Sequence, residues 1–167
     1  MELLLVHLTD IHIRDDKDLD VLSIRTDSIG GAICNHITNP DETEVVFCIT
    51  GDLAFSGKDD QYIAISMILD EVHSLINKRY PQVGIHYVLV PGNHDCDFEA
   101  SEEEVREQLL ISPALDISKP AVLKACTAIQ KNFYIFGKEW GEKYDVMLCD
   151  NDKILTVNEL NFDSYGV

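Results

Sequence analysis

The chain has 167 residues, 46% of them hydrophobic and 26% charged, and a formal net charge of −17. This length fits one domain with a buried core, and no run approaches the roughly 20 apolar residues of a membrane helix. So acidic a chain lacks the broad basic surface that tracks a nucleic-acid backbone, and its acidic runs Asp15–Asp20, Asp41–Glu44 and Glu99–Glu104 read as solvated surface.

A phosphate-bearing substrate would need local positive charge against this field, which bound divalent metals could supply. The apolar opening Met1–Leu8 has no basic residue before it and is too short for a signal-peptide core. The five cysteines form no zinc-ribbon or redox spacing and read as free thiols in a reducing compartment. A cytoplasmic location is expected, with no membrane partner.

In chain order, Glu2–Leu8 reads as a buried strand ending at Thr9-Asp10. Asp18–Thr38 follows with a mostly helical spacing of Leu22, Ile29, Ala32, Ile33 and Ile37, weakened by Gly30-Gly31. Glu44–Thr50, rich in Val, Phe and Ile, reads as a second strand. Asp60–Arg79 is a long amphipathic helix with a stripe of Ile65, Ile68, Leu69, Val72, Leu75 and Ile76, ended by Pro81. Ile85–Val90 is a third strand, stopped by Pro91-Gly92. Beyond it, Ser101-Glu102-Glu103-Glu104 resembles a capping box opening a short helix. Pro120 opens another, running towards Gln130 or beyond. Asn132–Tyr144 is an aromatic packing cluster, and Lys153–Leu160 a further strand.

Alternating strands and helices predict an α/β fold with a parallel sheet, the three strands side by side or nearly so. Such sheets bind ligands beyond the carboxyl ends of their strands. Here those ends carry Asp10-Ile11-His12, Gly51-Asp52 and Gly92-Asn93-His94-Asp95. Carboxylates, imidazoles and a carboxamide thus share one edge, a donor set suited to zinc, iron or manganese. Asp-x-His places two ligands on one side of an extended segment. Gly51 and Gly92 allow sharp turns and leave room beside the site. Each block alone has an ordinary reading. Asp10 could be a helix N-cap, and Gly-Asp is a common turn. The three in order, each after a strand, favour a site.

These blocks resemble the calcineurin-like metallophosphoesterase superfamily, closely over residues 1–98 and loosely over 99–167. The resemblance implies a β-sandwich flanked by helices, of which this chain would supply mainly the first parallel sheet, a helical insert and the start of the second sheet. It implies that Asp10 and His12 bind one metal, Asp52 bridges two, and Asn93 binds the second. His94 would act as the catalytic residue on the scissile phosphate or leaving oxygen, and Asp95 would stabilise the turn behind the ligands. Two divalent ions (Mn, Fe, Zn or Ni) about 3.5–4 Å apart would activate a hydroxide for in-line attack on a phosphodiester. The substrate would be a cyclic nucleotide, another small diester or a nucleic-acid end.

The sequence departs from that pattern twice. After His94 there is no further histidine, so the family's later His and Gly-His-x-His blocks have no counterpart. His7, His36, His73 and His86 read as structural or surface residues, and further C-terminal sequence is expected to complete the ligand set. In addition, Phe55 and Ser56 stand where the protein-phosphatase branch has an Asp-Arg pair, which points to the cyclic-nucleotide phosphodiesterase and nuclease-like branches. Phe55 packing its own loop is an equal reading. Cys96, beside Asp95 and Asp97, is an unsuitable thiolate. Two alternatives stay open: a phosphomonoesterase acting on a small metabolite, and an inactive or assembly-dependent regulatory module of a larger protein.

Overall fold

The three apolar runs form adjacent parallel strands, β1 (Glu2–Leu8), β2 (Thr43–Ile49) and β3 (Gly84–Leu89), in a computed structural model that describes residues 1–151. A fourth parallel strand, β4 (Asp145–Leu148), pairs with β3 and completes the order β1-β2-β3-β4. All four run the same way, so their carboxyl ends share one edge. The chain is α/β, as the alternation of patterns predicts. The expected strand at Lys153–Leu160, and with it the start of a second sheet, lies outside the described residues.

Helices α1 (Asp16–His36) and α2 (Asp59–Arg79) follow β1 and β2. Period-two alternation turns Leu4, Val6 and Leu8 of β1, Val45, Phe47 and Ile49 of β2, and Tyr87 and Leu89 of β3 towards one core. Ile65, Leu69, Val72 and Ile76 of α2 pack into it. Complete burial of side chains of this kind stabilises by about 1.5–3 kcal/mol each. Leu3 and Leu5, out of phase on the edge strand, stand exposed.

Gly30-Gly31 does not interrupt α1. A Cβ on Gly30 would sit 3.0 Å from the Leu75 side chain, so the glycine lets α1 and α2 pack closely at this point. The local propensity cost is outweighed by helix-on-helix packing.

Two expectations for the second half are corrected and one strand is added. Helix α3 (Glu102–Leu110) forms without the capping box. Ser101 has helical backbone angles, φ −60 and ψ −24, whereas a cap needs an extended residue, and its hydroxyl donates to Glu102 instead. The helix from Pro120 does not run on. Helix α4 (Pro120–Cys126) stops at Thr127, and a short 3-10 turn, Ala128–Gln130, leads into α5 (Lys131–Gly141). Finally, β4 was not anticipated, because four residues carry too little pattern to separate them from the aromatic segment before them. That segment is core: Phe133, Phe136 and Trp140 of α5 are buried. Trp140 meets Tyr87 edge-on at 5.7 Å, and Tyr87 stacks on Phe47 at 5.0 Å.

Candidate metal centre

The loops after β1 and β2 continue beside one another past the end of the sheet. Asp10 N–H donates to Gly51 O, His12 N–H to Asp52 O, Ile13 N–H to Leu53 O, and Phe55 N–H back to Ile13 O. Ile13, Leu53 and Ala54 are buried and anchor this two-loop ribbon to the core. Within it, Asp10, His12 and Asp52 all have left-handed backbones, with φ of 55, 53 and 54. For residues with a Cβ this costs about 1–3 kcal/mol each and persists only where surrounding contacts impose it. The three strained residues are three of the four predicted ligands; Asn93 is not among them.

Their side chains converge. Asp10, His12 and Asp52 each present a ligand atom, all within 4.8 Å of one another. One divalent ion with ligand bonds of about 2.0–2.2 Å fits a cluster of that span after small side-chain adjustment. His12 Nδ1 is buried with no hydrogen-bond partner, and its Nε2 lies 3.5 Å from Asp10 Oδ1. An imidazole that turns one nitrogen to a carboxylate, with no hydrogen-bond partner on the other, has the chemistry of a metal ligand. The Thr9 hydroxyl, donating to Asp10 at 2.7 Å, is the main cause holding that carboxyl below its ordinary range.

The turn after β3 is tied to this cluster by two carboxylates. Asp52 Oδ1 accepts from His94 N–H at 2.8 Å. Asp95, fully buried, accepts from Asp52 N–H and Gly92 N–H at 2.8 Å, from Tyr62 O–H at 2.9 Å, and from Ala54 N–H at 3.0 Å. Desolvation, followed by the charge of Asp95, drives the Tyr62 phenol far above its ordinary pKa, so it remains a donor. One buried carboxylate thus binds both turns and the first turn of α2. The glycines allow the approach: Gly51 has φ +100, and a Cβ on Gly92 would overlap the Asp52 carboxylate.

His94 stands beside the cluster, its ring 4.5 Å from that of His12 in an edge contact. Its Nδ1–H donates to Phe55 O at 2.8 Å. That bond orients the ring and leaves Nε2 as the nitrogen able to give or take a proton at a substrate. Asn93, exposed on the same turn, and His94 line a cleft of about 290 Å³ with Phe55 and Phe98 among its other walls.

The remaining histidines lie elsewhere. His7 pairs with Thr50, His36 with Ala32 O, and His73 with Tyr87 O–H. His86 lies between Glu44 and Asp145. The Cys96 thiol, pushed up chiefly by burial, is no nucleophile. Three neighbours of the site escaped the sequence reading: Thr9, Tyr62 and Arg14, whose guanidinium lies 4.1 Å over the Phe55 ring. Thr9 was findable as the hydroxyl next to a ligand. Tyr62 and Arg14 carry no local signal.

A family model described as calcineurin-like phosphoesterase matches residues 3–164, and the chain belongs to that family of metal-dependent phosphoester hydrolases. No curated protein and no solved structure matches. Among the described residues no helix is long and apolar enough to cross a membrane.

Proposed function

We propose that this member of the calcineurin-like phosphoesterase family hydrolyses phosphodiesters with two divalent metal ions. Asp10 and His12 would hold the first, Asp52 would be shared, and Asn93 would offer its carbonyl oxygen to the second. The supporting observation is the convergence of Asp10, His12 and Asp52 on strained backbones, with His94 beside them. Bound metal ions would supply Lewis-acid charge and acidify water there. His94, oriented by Phe55 O, gives a proton from Nε2 to the departing alkoxide oxygen. Asp52 aligns the His94 backbone, and Asp95 keeps the two turns in register. The wall beside His94 offers the phenyl rings of Phe55 and Phe98, which suit a second ester substituent. A cyclic nucleotide, small diester or nucleic-acid end is the substrate class. Five free cysteines support a reducing, cytoplasmic setting.

The test is metal content by mass spectrometry, with hydrolysis of bis(4-nitrophenyl) phosphate and 4-nitrophenyl phosphate by the full-length protein and its Asp52→Asn variant. Two metals per chain and faster diester cleavage are expected. The variant should lose more than the about 10–100-fold that removing an outer-shell partner costs. Faster monoester cleavage would make the protein a phosphomonoesterase. A metal-free, inactive protein would make it a regulatory module.

A further inference from the structure

The cleft beside Asn93 and His94 has features that phosphoryl transfer does not use. Phe55 and Phe98 line it and are 36% and 54% exposed. Single exposed apolar residues are ordinary. Phe55 packs against the His94 ring at 5.3 Å, whereas Phe98, the more exposed of the two, has no aromatic partner among the described residues. Each ring also has a guanidinium against it: Arg14 at 4.1 Å from the Phe55 centroid and Arg106 at 5.7 Å from that of Phe98. Arg106 is paired with Glu103, and Lys58 in the cleft wall with Asp97 and Glu99. Arg14 has no ion-pair partner among the described residues. The volume, about 290 Å³, lies at the lower edge of small-molecule pockets, with room for one ring system.

We infer that this cleft is a nucleobase subsite: a planar base carried on the substrate stacks against Phe98, with Phe55 as a further apolar wall, while its phosphate lies at Asn93 and His94. The inference rests on the diesterase reading for the placement of the phosphate. Phenyl rings take any base, because every base offers a π-face. Arg14, 4.1 Å over the Phe55 ring, brings positive charge next to that ring on a chain of net charge −17.

The experiment is calorimetric binding, with zinc present, of the non-hydrolysable 5′-phosphonate of adenosine and that of ribose. About tenfold tighter binding of the adenosine compound is expected, within what one base–aromatic stack contributes. Phe98→Ala should erase that preference, and Phe98→Tyr, which keeps a ring, should retain it. Equal affinity for the two compounds, or a preference unchanged in both Phe98→Ala and Phe55→Ala, would overturn the subsite. Hydrolysis of bis(4-nitrophenyl) phosphate by the same samples separates the two readings. Cleavage without base preference removes the subsite alone, and base preference without cleavage removes the diesterase alone.

Discussion

The two ends of the sheet hold charged side chains in opposite ways. At the carboxyl end, Asp95 is buried and accepts from three backbone N–H groups and a tyrosine hydroxyl. At the amino end, His86 of β3 lies between Glu44 of β2 and Asp145 of β4, each on a neighbouring strand. The first arrangement fixes the backbone at Asp52 and Ala54, and the loop so held bonds through Gly51 O and Asp52 O to the backbone of Asp10 and His12. The second joins side chains across three strands and imposes no backbone strain. A site that must place several ligands needs the first kind, because a side-chain lock leaves the chain beneath it free to relax.

The sharpest way to break this contrast is Asp95→Ala. It leaves four donors without their acceptor, at about 1–3 kcal/mol for each that stays buried and unpaired. A loss of several kcal/mol in denaturant unfolding is expected. A loss below about 1 kcal/mol would show that water replaces the carboxylate and that the network does not hold the strain.

Gly92→Ala tests the same end through space rather than charge. The added methyl displaces the Asp52 carboxylate, so metal affinity should fall by about 10–100-fold, as for a disturbed supporting shell. Unchanged affinity in a metal titration would show that Asp52 is not a ligand.

The smallest effect belongs to His86. Burial works against its charged form, but the hydrogen bonds it donates to Glu44 and Asp145 outweigh it and raise the pKa above the ordinary 6.5. A raised folded pKa contributes stability that is complete below the unfolded value and lost as pH rises through the folded one. The stability gap between the native chain and His86→Gln should therefore be wider at pH 5.5 than at pH 8.5 in denaturation curves. A gap independent of pH would mean that His86 acts by packing alone.

How much of this was legible follows from the range of each interaction. Glu2–Leu8 and Thr43–Ile49 announce themselves as strands because burial demands an apolar run. Asp10, His12, Asp52 and His94 announce themselves because metal and proton chemistry admits few side chains. Gly30 misled, since a glycine is destabilising in an isolated helix and only Leu75, on another helix, shows why it is there. Ser101 misled in the other direction, its sequence suited to a cap and its backbone not. β4 has no pattern of its own and exists because the edge of β3 offers unpaired backbone groups.

The sequence by itself determined the parallel α/β architecture and the chemistry at its carboxyl edge, because periodicity and ligand type are properties of single segments. Only the tertiary structure decided that three candidate ligands sit at positive φ, that Asp95 satisfies four donors from three parts of the chain, and that Arg14 lies over Phe55. Backbone strain is unfavourable wherever it is read locally. It becomes tenable only when hydrogen bonds from distant residues outweigh it, and those partners meet only in the folded chain.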